Sequence, residues 1–290
     1  SLADTNNTVS DAKTSTALGH ENKVDGGSST ALGYKNTIKG YGTTSLGSNN
    51  EVDGYSSTLL GFTNTVKGVE STSLGTHNTV EGQASTALGI KNKVKGKRGT
   101  SLGVINEIEG EKSTTLGYSN IVKGNFSTSI GANNNVIGDN NFAFGNNITF
   151  ENGATGSVAL GNNSKVTHSN VLAIGSKDNE RRIVNVAKGI NDTDAVNFSQ
   201  LRNTENNLIN KGLMFGANQG ETTVKLGGKL NIKGSDTLSD DDTTDKNIRT
   251  TLEGNTLRMK FAKRPEFDEV KAGEDKKGVV IGNERVAVAG

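Results

Sequence analysis

The 290-residue sequence has no cysteine, no tryptophan and a single proline. Without cysteine there is no disulfide framework and no thiolate metal site. Aromatic bulk is scarce, at nine phenylalanines and four tyrosines, and hydrophobic residues make up 31%. That is too little for a thick core, but it suffices for a thin, repetitive one in which each short segment buries one or two side chains against copies of itself. No stretch approaches the roughly 18 consecutive apolar residues of a membrane-spanning helix. The net charge of +1 gives no general case for nucleic-acid binding. The opening SLADTNN is neither a methionine start nor a signal peptide, so a cut or processed piece is expected.

What is present is glycine, 38 residues of it, and it is periodic. From Gly19 to Gly145 a glycine recurs every 14 residues, and a second glycine ladder runs from Gly26 to Gly138 at the same spacing. Between them lies an asparagine ladder from Asn22 to Asn134. The unit reads S-T-[AS]-L-G-x-x-N-x-[VI]-x-G-x-x, and two looser copies close at Gly161 and Gly175.

Fourteen residues are too few for a helical hairpin, and the apolar residues alternate in two short runs split by glycine. Two strands of about five residues and two tight turns fit, with Gly and Asn expected at the positive-φ turn positions. Each unit then forms one coil of a parallel β-solenoid. At about 4.8 Å per coil, ten to twelve coils extend roughly 50–55 Å. Leu18, Leu32, Leu46, Leu60, Leu74, Leu88, Leu102 and Leu116 are expected to form one buried ladder. Val24, Ile38, Val52, Val66, Val80 and Val94, continued by Ile108 and Val122, are expected to face it. Such a coil buries little surface alone. The small residues alternating with the leucines (Ala17, Ala31, Ser45, Ser73, Ala87, Ser101) are expected to present a flat face to another solenoid.

The periodicity ends near Gly175, and residues 180–201 read ERRIVNVAKGINDTDAVNFSQL. Asp192, Thr193 and Asp194 offer N-capping oxygens ahead of Ala195, Val196, Phe198 and Leu201 at helical spacing. Leu201 and Leu208 lie seven apart, which suggests a short oligomeric coiled coil of two to three turns. From Gly212 onward, apolar and polar residues again alternate between glycine-containing turns, so 212–290 reads as a small β module, with an acidic loop at 235–246.

Enzymatic chemistry has little to work with. His20, His77 and His168 are scattered over variable positions and read as solvated. The hexapeptide unit of solenoid acyltransferases does not divide into 14, and the nine-residue Gly/Asp unit of calcium β-rolls is absent. The acidic run Asp240–Asp242 reads as a hydrated loop before it reads as an ion site. A threonine ladder from Thr16 to Thr128 raises ice binding, but Thr16 shares the face of Leu18 and should point inward with it. No cofactor and no metal is called for. Lys91, Lys93, Lys95, Lys97 and Arg98 form a basic band and Glu107, Glu109 and Glu111 an acidic one, either for mutual support or for an acidic partner. The turn aromatics Tyr34, Tyr41, Tyr55, Phe62, Tyr118 and Phe126 are the candidates for recognition.

The 14-residue S-T-A-L-G…N-x-V-x-G unit, followed by NVAKGINDTDAVNFSQL, resembles the head and neck of the trimeric autotransporter adhesins of Gram-negative bacteria. The resemblance implies an all-β left-handed parallel β-roll head over 1–180 that forms a homotrimer. It further implies a neck and short coiled coil over 181–211 and a β-rich connector of Trp-ring or GIN type over 212–290, although no tryptophan is present. Val186, Asp192, Asp194, Val196, Phe198 and Leu201 would then be neck and trimer contacts. The implied role is non-enzymatic attachment at the bacterial cell surface and outer membrane, with the membrane anchor outside this fragment. Implied partners are collagen, fibronectin, laminin or a carcinoembryonic-antigen-related cell adhesion molecule. The alternative role is a self-associating spacer.

Overall fold

The computed structural model describes residues 6–10, 14–151, 153–232, 247–267, 269–274, 277–282 and 285–289, with side chains described as far as residue 267. The acidic segment 235–246, with Asp240–Asp242, lies outside the described residues. The chain divides into two compact units, 1–185 and 186–290.

In the first unit the 14-residue period closes one coil of a parallel β-solenoid. Two 12-stranded parallel sheets result, one from alternate strands beginning at Thr8–Val9 and the other beginning at Thr16–His20. The two strands of a coil are unequal. Thr86–Ile90 has five residues and Lys93–Val94 two, and most coils repeat that pattern. The second run is short because Asn and Gly bracket it closely, so two equal five-residue strands do not form. Register is strict, with Thr86, Ala87, Leu88, Gly89 and Ile90 opposite Thr100, Ser101, Leu102, Gly103 and Val104.

The parity of the long strand corrects the expected core. Val24, Ile38, Val52, Val66, Val80, Val94, Ile108 and Val122 are all fully buried. Facing them, however, are not the leucines but Ala31, Ser45, Leu59, Ser73, Ala87, Ser101, Thr115 and Ser129. Leu18, Leu32, Leu60, Leu88 and Leu116 are 39–50% exposed, and Leu46, Leu74 and Leu102 are only half-buried. The physical reason is width: the space between two strands joined by such short turns is filled by one β-branched residue plus one small one. The small residues therefore line the inside, and the threonine ladder shares the outward face of the leucines. Leu59 is the exception, fully buried between Ser45 and Ser73 of the adjoining coils.

Polar ladders complete this narrow interior. Asn92 is almost fully buried, and its Nδ2 donates to Asn78 Oδ1 at 3.2 Å, Leu88 O at 3.1 Å and Gly103 O at 2.7 Å. Its own Oδ1 accepts from the backbone N and Nδ2 of Asn106 at 3.2 and 3.0 Å. Each asparagine thus donates to the asparagine of the preceding coil and accepts from that of the next, as in stacked Asn ladders elsewhere. At the opposite corner Ser71 Oγ donates to Gly82 O at 2.8 Å and accepts from Ser85 N at 3.2 Å. The asparagines are therefore not turn residues. The positive-φ corners are held mostly by variable residues such as Lys35, Thr63, Glu70, Lys91 and Ile105, at φ of 53–58°. Glycine at the second ladder answers to space: a Cβ on Gly82 would lie 2.0 Å from Gly96 O.

In the second unit a helix spans Phe198–Lys211. Its N-cap is Asn197, not Asp192–Asp194, and Asn197 with Gln200 forms a capping box. The two side chains also hold the preceding loop: Gln200 Oε1 accepts from Gly189 N at 2.9 Å, and Asn197 Nδ2 donates to Val186 O at 3.1 Å. Ala195 and Val196 precede the helix. Asp194 instead closes a turn, its Oδ2 accepting from Ile190 N at 2.9 Å and Asn191 N at 3.0 Å. These backbone donors, Asn191 first, hold its carboxyl below the usual range. Antiparallel hairpins follow, Leu213–Gly216 with Glu221–Val224 and Ile248–Glu253 with Thr256–Phe261, and then three strands between 269 and 289.

Candidate functional site

The outward side of the long-strand sheet carries three columns in register. The first is threonine, from Thr16 to Thr128, and the second is leucine, continued by Ile130 and Phe144. The third begins after the glycine and reads His20, Tyr34, Ser48, Phe62, Thr76, Ile90, Val104, Tyr118, Ala132. It alternates in size. Tyr34, Phe62, Ile90 and Tyr118 are 40–51% exposed, whereas Ser48, Thr76, Val104 and Ala132 between them are half-buried. A 28-residue super-period, two coils, thus makes a ridge with bulky side chains about 9.6 Å apart, at twice the strand spacing.

The six candidate aromatics do not form one cluster. Tyr34, Phe62 and Tyr118 lie on this ridge, while Tyr41 and Tyr55 stand just after the second glycine ladder and Phe126 at the neighbouring positive-φ corner. All six are exposed. Several also cover neighbours: His20 stacks on Tyr34 at 5.7 Å between centroids, and His77 meets Phe62 edge-on at 5.7 Å. Lys35 lies 4.9 Å over Tyr34, and Lys112 4.7 Å over Phe126. The phenol of Tyr34 and then the Glu21 carboxylate raise the Lys35 pKa.

The charge bands answer each other. Lys95 Nζ reaches Glu109 at 3.0 Å and Glu107 at 3.1 Å, and Lys93 reaches Glu107 at 3.6 Å. Glu109 and then Glu107 raise the Lys95 pKa, and Lys95 correspondingly lowers that of Glu109. Among the described residues no group of three or more His, Asp or Glu side chains is gathered where a metal ion would sit, and no helix is long and apolar enough to cross a membrane.

Of the neck residues, Val196, Phe198 and Leu201 are 59–73% exposed, as is Leu208 at 57%, and the helix buries none of its side chains within the chain. Further on, Met214, Phe215, Leu230, Ile232, Leu257 and Met259 line an open cleft of about 870 Å³. Val186 and Asp194 serve the loop and turn described above.

Outward-facing columns repeated coil by coil define the first unit as a β-solenoid repeat domain. The family profile described as "YadA head domain repeat (2 copies)" matches residues 10–36, 67–91, 109–134 and 153–177, and "Coiled stalk of trimeric autotransporter adhesin" matches 182–224. Among solved structures the collagen-binding domain of the Yersinia adhesin YadA is similar at 22% identity, over 49% of this chain and 86% of that chain, with a TM-score of 0.36. No curated protein matches. With head repeats and stalk in this order, the chain belongs to the trimeric autotransporter adhesins.

Proposed function

We propose that the chain is a non-enzymatic, homotrimeric adhesin of the bacterial outer surface. Its three heads would pack through the Thr/Leu faces, and it would attach to matrix or host-cell proteins through contacts repeated along the ridge. The carrying observation is the leucine ladder: five leucines 39–50% exposed, with half-buried Leu46, Leu74 and Leu102 in the coils between, are an apolar stripe that a head surrounded by water must cover. A second and third copy of the same stripe cover it with identical geometry. The exposed Phe198, Leu201 and Leu208 on the capped helix offer a matching seam in the stalk. Threefold display multiplies weak single contacts into firm attachment.

Immobilised collagen, fibronectin, laminin and a carcinoembryonic-antigen-related cell adhesion molecule form the test panel. The reading predicts saturable binding to at least one of them. It also predicts loss of that binding in the triple variant Tyr34→Ser, Phe62→Ser, Tyr118→Ser, with mass and melting unchanged. Undiminished binding by the triple variant would remove the ridge from the contact surface.

A further inference from the structure

We propose that the outer face of the short-strand sheet docks a second copy of the head in antiparallel orientation, through a ladder of alternating charge. The residue following each buried Val or Ile reads Asp25, Lys39, Asp53, Lys67, Glu81, Lys95, Glu109, Lys123. The sign alternates over eight consecutive coils without a break, and all eight residues are exposed. Backbone bonds hold them in register, Asp25 N to Ile38 O, Lys67 N to Val80 O and Glu109 N to Val122 O among them, each at 2.8 Å. Charges of opposite sign are thus one coil apart, about 4.8 Å, and like charges about 9.6 Å apart.

The ladder is only partly satisfied within the chain. Lys95 and Glu109 pair with each other, Lys39 turns to Glu51 and Asp25 to Lys23. Among the described residues Asp53, Lys67, Glu81 and Lys123 have no ion-pair partner within 4.0 Å.

An eight-rung alternating ladder is its own complement when turned end for end. Asp25 then faces Lys123, Lys39 faces Glu109, Asp53 faces Lys95 and Lys67 faces Glu81, each pair occurring twice about a twofold axis. Parallel stacking in the same register would oppose like charges throughout. The adjoining column agrees with the antiparallel choice: Lys23 meets Ile121, Thr37 meets Glu107, Glu51 meets Lys93 and Thr65 meets Thr79, with no like-charge contact. This sheet faces away from the leucine stripe, so the ladder stays open when that stripe is covered. The partner is a head approaching from the opposite direction. Exposed ion pairs are individually weak and screened by salt, so the contact is reversible and ionic-strength dependent.

Sedimentation velocity on the whole 290-residue chain tests this. As ionic strength falls from about 1 M to about 0.01 M, where screening lengthens from about 3 to about 30 Å, species of twice the high-salt mass and larger are expected, because every head of the proposed trimer keeps its own ladder open. The variant Lys67→Gln, Glu81→Gln, Lys95→Gln, Glu109→Gln should keep the high-salt mass at every ionic strength, with an unchanged circular-dichroism spectrum. Orientation is read separately: at low salt, mixed Lys23→Cys and Ile121→Cys chains should form a disulfide-linked pair, and Lys23→Cys alone should not. Absence of a salt-dependent rise in mass, or an undiminished rise in the four-site variant, would overturn the proposal. So would linkage by Lys23→Cys alone. The high-salt mass reports the number of chains per head on its own, so failure of the trimer and failure of the ladder are distinguishable.

Discussion

Ala87 is fully buried, whereas Leu88, the next residue on the same strand, is 39% exposed. The larger apolar side chain lies outside and the smaller inside, because the interior has width for Val80 or Val94 plus little more than a methyl group. The head therefore spends its most hydrophobic column on its surface. That inversion links the coil's dimensions to its assembly, since an apolar stripe on a rod calls for a second rod.

Ser73 Oγ is buried without a hydrogen-bond partner. Ser101 Oγ, two coils on, donates to Asn92 Oδ1 at 3.1 Å and accepts from Thr115 Oγ1 at 2.9 Å. Ser73→Ala should leave stability unchanged or raise it by up to about 1 kcal/mol, while Ser101→Ala should lower it by about 1–3 kcal/mol. Thermal or denaturant melting of the two variants side by side checks the ordering, and equal losses would contradict it.

Two glycine positions within the same turn should differ sharply. A Cβ at Gly82 meets Gly96 O at 2.0 Å, whereas one at Gly42 meets nothing closer than Ser56 Oγ at 3.8 Å. Ser28, Ser56 and Glu70 hold the Gly42 corner at φ of 53–58° in other coils. Gly42→Ala should cost about 1 kcal/mol, while Gly82→Ala should open the stack and lower melting by considerably more. Similar melting temperatures would place the coil spacing in error.

Asp194 gives the neck a pH dependence of known sign. Its carboxyl sits below the ordinary value of about 3.9. Its contribution is therefore present above that ordinary value and is lost as pH falls through the lower, folded value. Carboxyl titration by NMR should place its midpoint below the ordinary one, and Asp194→Asn should remove the acid-side loosening of the 190–194 turn. A midpoint at or above the ordinary value would detach Asp194 from the backbone of Ile190 and Asn191.

The coil was legible in the sequence because its period is unbroken, but two features were hidden in it. Alternation along S-T-A-L-G separates two faces without saying which is inside, and judging by residue size alone assigns Leu88 rather than Ala87 to the core. The asparagine ladder is likewise ambiguous, because Asn also suits turns. Its constancy from Asn22 to Asn134, beside a preceding position that runs through Glu21, Lys35, Asn49, Thr63 and His77, was the available signal. A turn tolerates many residues, whereas a buried site that must both donate and accept between coils admits few. At the neck, Asp192, Thr193, Asp194 and Asn197 are all capping types, and only the Asn197–Gln200 spacing singles out the capping box. The ridge and charge ladder are hard to see in the sequence because both repeat every two coils, so their rungs separate only when successive 14-residue units are compared pairwise.

The most direct measurement of the central claim is the solution mass by light scattering, at high ionic strength, of the wild-type chain and of Ala87→Asp and Leu88→Asp. If the leucine stripe joins chains, the wild type has the mass of three 30.3 kDa chains, about 91 kDa. Leu88→Asp then shifts toward smaller species while keeping its β-sheet circular dichroism. Ala87→Asp loses sheet signal, because a carboxylate enters an interior with no partner for it. A wild-type mass of one chain, or loss of sheet in Leu88→Asp with none in Ala87→Asp, would contradict the account.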